Sequence, residues 1–320
     1  MIFNFLLLIL LIFIYMIISA NNAPIIFGAS VCAGFVKFSR ATKIVFLGIF
    51  LGAVLEGGKL TNTVFGGILP ETTLEAALIM TITAIVILLI ATFLHLPVPI
   101  SNSLIGAAIG IGVMNKMNVN LNLIIVIFIS WIIIPFLASF LSMIISIIIK
   151  NISFLVKNLL ILNCLYGDIS LLLSFYLAYV LGANTFGLVN GIYEPFMPNV
   201  WANFIILGLS YFIGIQFLSK GVTELVGEKI INLSPLTVFI VQFSGAFTIH
   251  IFTQFKLPVS LIQTLIGSTL GIGFAKKVTL LNKRTVLSIL AGSIFAPLLG
   301  TVISCFIIFV FMFYGLKLNI

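Results

Sequence analysis

Two short stretches carry the side chains best suited to chemistry: Ser101-Asn102-Ser103, and Ser260 with Gln263 and Thr264. Each follows a proline-marked approach, Leu96-Pro97-Val98-Pro99 and Leu257-Pro258-Val259. Each opens an apolar segment of about 15 residues, short of the roughly 20 that a bilayer crossing needs. A helix that starts inside an apolar setting aims free backbone N–H groups and a positive dipole end at the space before it. The hydroxyls and amides add donors there. Donors with no neighbouring carboxylate describe an anion site better than a cation site. A second pair, Asn21-Asn22 and Asn184-Thr185, stands where polar residues interrupt the first apolar run of each half. Polar groups at such depth are costly and usually face a cavity. The plain alternative makes them N-caps and small residues for close packing, but capping gives no reason for their pairing across the chain.

Charges are few enough to read one by one. Glu56, Lys59 and Thr61 close an apolar segment, and Lys220, Thr223 and Glu224 hold the matching place later. They are candidates for a gate or a coupling site, or are lone interfacial charges. His95 and His250 do not match each other and read as core or interfacial histidines rather than a proton relay. Asp168 reads as a helix-start charge. Cys32, Cys164 and Cys305 show no metal or disulfide spacing and read as buried small hydrophobes. With no nucleotide loop, metal cluster or nucleophile–base pair legible, ATP-driven transport and catalysis are not expected.

The elements that position these residues are membrane helices. Of 320 residues, 62% are hydrophobic and only 7% charged, more apolar surface than a soluble domain can hide. The net charge of +8 lies mostly in short connectors, where lipid headgroups and topology account for it without nucleic acid. Residues 2–18 read as a transmembrane helix rather than a signal peptide, since no Lys or Arg precedes the run. Ser19 to Pro24 is predicted to break that helix. The chain divides into a first repeat (1–149), a connector (150–165) and a second repeat (166–320). Ala20-Asn21 returns as Ala183-Asn184, Pro97-Val98 as Pro258-Val259, Gly106…Gly110-Ile-Gly112 as Gly267…Gly271-Ile-Gly273, and Pro135 as Pro297. A near-constant spacing of about 162 residues marks an internal repeat, and short Gly/Pro-marked segments at matching places point to a transporter's binding site. The expected fold is an all-α integral membrane protein. It has two pseudo-symmetric, inverted repeats and about 10–12 membrane segments, two of them re-entrant hairpins.

At these residues the chain resembles the inorganic phosphate transporter family, with features of its sulfate permease branch. The family's Gly-Ala-Asn-Asp-type signature is similar to Ser19-Ala20-Asn21-Asn22 and Gly182-Ala183-Asn184-Thr185. Its Gly-Gly-Lys-Val-type stretch is similar to Gly57-Gly58-Lys59-Leu60, with Lys220-Gly221-Val222-Thr223-Glu224 as the second copy. Its Pro-Val-Ser-Thr-type hairpin is similar to Pro97-Val98-Pro99-Ile100-Ser101-Asn102 and Pro258-Val259-Ser260-Leu261-Ile262-Gln263. The signature aspartate reads as Asn22 and Thr185, and the hairpin histidine as Asn102 and Gln263. Loss of both aspartates puts sodium coupling in doubt and makes the cavity more accommodating to a dianion. Gly67-Ile68-Leu69-Pro70-Glu71 and Trp131 to Pro135 resemble the sulfate branch.

The resemblance implies a secondary transporter of a tetrahedral oxyanion in the cell membrane, working by alternating access. Phosphate is the first expectation and sulfate the alternative. Ser101, Ser103, Ser260 and Thr264 are expected to donate to the oxyanion. Asn21, Asn22, Asn184 and Thr185 are expected to line the cavity, with sodium or a proton as coupling ion. No cofactor is expected; the lipid bilayer and a second copy of the chain are the expected partners. A degenerate paralogue acting as sensor or scaffold is the rival from another class, with the lost aspartates as its support.

Overall fold

The computed structural model describes residues 2–32, 34, 36–71, 73–93, 98–153, 159–197, 199–220, 223, 235–278, 280–281 and 283–314. Among these the chain is helices joined by turns and short connectors, with one isolated bridge between Phe65 and Leu69. In lipid every backbone polar group needs a partner within its own segment, so apolar runs of this length form helices. The first half holds α1 (Ile2–Cys32), α2 (Phe38–Glu56), the single turn α3 (Gly58–Thr61), α4 (Leu74–Phe93), α5 (Ile100–Met114) and α6 (Leu121–Ser153). The second holds α7 (Leu159–Leu181), α8 (Gly187–Tyr193), α9 (Val200–Ile213), α10 (Pro235–Gln254), α11 (Leu261–Lys276) and α12 (Lys283–Phe313). Among the described residues eight helical stretches are long and apolar enough to cross a membrane, and the hairpin helices α5 and α11 are shorter. This is a multi-pass membrane protein.

Several expectations change. The break expected at Ser19 to Pro24 is absent: α1 runs straight through it with Pro24 inside. Proline removes one ladder bond, a smaller loss than exposing several backbone groups to lipid. In the second half the matching interruption is a π-helical turn, Gly182–Phe186, between α7 and α8. The connector is narrower than 150–165, since α6 reaches Ser153 and α7 begins at Leu159. Asp168 is therefore an exposed residue within α7, not its start. Cys32 is exposed rather than buried. His95 lies outside the described residues, as do Leu96 and Pro97 of the first proline approach.

The two repeats are intertwined rather than set side by side. α5 packs along α12, and α11 packs along α6. Likewise α2 lies on α7, and α1 on α9. These four seams join one repeat to the other, while α7 also packs along α10 within the second repeat. The glycines that betrayed the repeat make these seams. A Cβ at Gly106 would collide with the backbone of Pro297, and one at Gly267 with the backbone of Pro135. One turn on, Gly110 meets Thr301 and Ser304, while Gly271 meets Ser139 and Ser142. Small residues let helix backbones approach within membranes, where burial of apolar surface offers no drive for association. Thr301 Oγ1 uses that closeness to donate to the Gly106 carbonyl oxygen at 2.9 Å.

Candidate functional site

The starts of the two short helices meet. Pro99, Ile100 and Ser101 at the start of α5 face Val259, Ser260, Leu261 and Ile262 at the start of α11 across a small cavity. Asn22 of α1 and Thr185 of the π-turn complete its lining. Residues from four separate places in the sequence thus converge, one from each member of the two expected pairs. The lining carries hydroxyls, an amide and two helix starts, and no carboxylate among the described residues. Its volume is about 20 Å³, room for little more than a water, so the hairpin starts must separate to admit anything larger. A cavity of about 390 Å³ lies against the connector after α11, near Lys277 and Leu280. It contains none of the paired residues, so size alone does not pick the site.

The expected residues on the two short helices also take structural roles. Ser260 is the N-cap of α11, its Oγ accepting from the Gln263 N–H at 3.3 Å; the cap satisfies a donor that the helix start leaves free. Thr264 Oγ1 donates to the Ser260 carbonyl oxygen at 2.7 Å, within its own helix. Gln263 is buried, and its Oε1 has no partner among the described residues. On α5, Ser101 Oγ lies 3.4 Å from Asn102 Oδ1, and Ser103 Oγ donates to the Pro99 carbonyl oxygen at 3.4 Å. Asn102 Nδ2 donates to the Ser293 carbonyl oxygen of α12 at 3.1 Å. It fastens α5 to its neighbour.

Asn184 does not line the cavity; it holds the second hairpin in place. Its Nδ2 donates to Thr253 Oγ1 (2.9 Å) and to the Leu257 carbonyl oxygen (3.0 Å), and its Oδ1 accepts from the Val259 N–H (3.0 Å). Trp131 Nε1 of α6 supports the same approach by donating to the Pro258 carbonyl oxygen at 2.8 Å. Asn21 is half-buried on α1 beside Asn22, outside the cavity lining.

The two charge groups part company. Glu56 and Lys59 form an ion pair at 2.8 Å, and Thr61 Oγ1 donates to the Gly58 carbonyl oxygen within α3. Lys220 is exposed and Thr223 is buried, donating to the Ser219 carbonyl oxygen at 2.8 Å. Glu224 lies outside the described residues. Sequence reasoning missed the company Glu56 keeps: Tyr179, His250 and Gln254 converge on it, and Tyr176 bonds His250 from behind. The available signal was helical spacing, since Tyr176/Tyr179 and His250/Gln254 each share one helix face.

Two intertwined helical repeats, with a pair of short hairpin helices starting at a shared polar cavity, define a membrane transporter. The chain matches the Phosphate transporter family over residues 18–169 and again over 165–308, once for each repeat. It belongs to that family. It is 27% identical to the sulfate permease CysP of Bacillus subtilis, over 94% of this chain and 86% of that one. It is 28% identical to the protein named "Putative phosphate permease MJ0630" of Methanocaldococcus jannaschii, over 91% of this chain and 92% of that one. Its fold superposes on a solved structure titled "The sodium-dependent phosphate transporter" with a TM-score of 0.85 at 22% identity, covering 98% of this chain and 100% of the other.

Proposed function

We propose that this chain is a secondary transporter of a tetrahedral oxyanion dianion, and that sulfate is its better substrate. The observation that carries this reading is the cavity lined by Asn22, Ser101, Thr185 and Ser260, with no carboxylate among the described residues. Phosphate at neutral pH keeps at least one proton on an oxygen, so part of it is a hydrogen-bond donor. A carboxylate is the strongest acceptor for that group. Sulfate only accepts, and a lining of donors and helix starts suits it. Hydroxyls can also turn to accept, so the expected preference is modest, about tenfold. Kinship with both a sulfate and a phosphate permease fits an oxyanion without choosing between them.

Alternating access requires the hairpin starts to separate toward one face and then the other. Because α5 is seamed to α12 and α11 to α6, the moving bodies are these pairs, not the two repeats as blocks. The helices α1, α2, α7 and α9 pack among themselves and form the body against which the pairs move.

The test is uptake of labelled sulfate and labelled phosphate by proteoliposomes of the purified protein. Sulfate uptake several-fold above phosphate is expected. The double variant Ser101→Ala/Ser260→Ala should insert normally and lose uptake. Faster phosphate uptake reverses the substrate assignment, and unchanged uptake in the double variant removes the cavity from the pathway.

A further inference from the structure

Outside the cavity, one titratable cluster bridges the two repeats. Glu56 ends α2. Its Oε1 accepts from the Tyr179 hydroxyl at 2.8 Å, and its Oε2 accepts from Lys59 Nζ at 2.8 Å and Gln254 Nε2 at 2.9 Å. His250 Nε2 stands 3.4 Å from the same Oε2, and His250 Nδ1 is 2.8 Å from the Tyr176 hydroxyl. Lys59 also donates to Gln254 Oε1 at 2.6 Å. The charged and titratable groups facing His250 are thus Glu56 from α2, Lys59 from α3, and Tyr176 and Tyr179 from α7.

One carboxylate oxygen faces two groups that can be cations. A single negative charge cannot neutralise both an ammonium and an imidazolium, so a proton on His250 competes directly with Lys59. Histidine is the side chain whose charge ordinarily changes between about pH 5 and 8. The repeat supplies no packing reason for the cluster: at the spacings of the nearest matched residues, Glu56, Tyr176, Tyr179 and His250 correspond to Leu218, Phe13, Met16 and Leu89. The cluster is also wired to the cavity. α10 carries His250 and Gln254 straight into the second hairpin, Thr253 beside them bonds Asn184, and Ser260 just beyond lines the cavity.

We propose that His250 with Glu56 binds the coupling proton of this transporter, and that Lys59 is the cation the proton displaces. The proposal rests on the oxyanion reading above for what is coupled, but not for the proton site itself. In the neutral state the Tyr176 hydroxyl donates to Nδ1, and Lys59 ties α3 to both Glu56 and Gln254. One proton then enters at His250, and both ring nitrogens become donors. The imidazolium takes over Glu56, and Lys59 turns to solvent with its charge intact. That releases the end of α10, and with it the approach to α11, from the first repeat.

Two measurements test this. The chain has two histidines, so a His95→Gln background leaves His250 as the sole imidazole signal for NMR in lipid nanodiscs. Protonation of that ring should appear as a pH-dependent change in its signal, and Glu56→Gln should alter that change, because the carboxylate 3.4 Å from Nε2 is gone. No titration, or the same titration in both proteins, overturns the proposal whether or not any anion is transported. The second measurement is labelled sulfate and phosphate movement in proteoliposomes. His250→Gln should lower accumulation driven by an inside-alkaline gradient at least tenfold, while gradient-free anion exchange falls no more than threefold. Retained accumulation, or equal loss of both, overturns coupling through His250. Wild-type protein that moves neither anion refutes the oxyanion reading, and the NMR titration still decides the proton site.

Discussion

The two hairpins descend from one repeated sequence pattern, and the molecule holds them differently. α5 starts without a side-chain cap, and Asn102 pins it to α12 well inside the first turn. α11 starts on the Ser260 cap, and its approach is fixed by Asn184 at three points and by Trp131 at a fourth. Among the described residues a charged cluster reaches the second hairpin, through α10. The seams behind them are matched almost atom for atom, Gly106 on Pro297 and Gly267 on Pro135. The repeat therefore dictates where each hairpin lies, while its own residues decide how firmly its tip is held and what can move it. A tip clamped by a few nameable hydrogen bonds is the better place for a controlled release.

That contrast can be broken most sharply at Asn184. Asn184→Ala leaves the half-buried Leu257 carbonyl and the buried Val259 N–H without their partner, at about 1–3 kcal/mol for each orphaned group. Sulfate uptake should fall at least a hundredfold, and thermal unfolding in detergent should shift downward. Asn21→Ala, at the matching place, should cost far less on both readouts. Equal losses at the two positions would erase the asymmetry. The seams should behave in the opposite way. Gly106→Ala and Gly267→Ala each push a Cβ into a facing backbone, and each should cost about 1–3 kcal/mol of stability. A clear difference between these two, read as denaturation midpoints, would show that the seams are not equivalent. The smallest effect separates the two serines. Ser260→Ala should cost about 1 kcal/mol of stability through the lost cap, beyond any effect on transport. Ser101→Ala should raise KM for the anion with little change in stability. Matching stability losses would show that the Ser260 cap contributes nothing of its own.

Much of the fold was legible because composition and repeat are one-dimensional signals. The apolar runs announced the helices, and the recurring Pro-Val and Gly-Ile-Gly strings announced two related halves with short segments at matching places. The polar cavity was legible in part for the same reason. Asn22, Ser101, Thr185 and Ser260 belong to the matched pairs, and all four line it. The pairs could not say which members turn inward. Asn102, Ser103, Thr264 and Asn184 have suitable chemistry, but helix phase and a nearby carbonyl claim them for structure instead. The break expected in α1 failed because a proline reads as a stop in water and costs one bond in lipid.

By itself the sequence determined an all-helical membrane protein of two repeats, with uncharged donors gathered at two short segments. Hydrophobicity and periodicity act locally, and they suffice for that. Only the tertiary structure decided that the repeats interlock, so that the glycine runs became seams between them rather than features of a site. Only it brought His250, far from Glu56 in the sequence, onto the same Glu56 carboxylate oxygen as Lys59. Contacts of that kind depend on which helix faces which. No local pattern encodes that choice, because it is settled by close packing among all the helices at once.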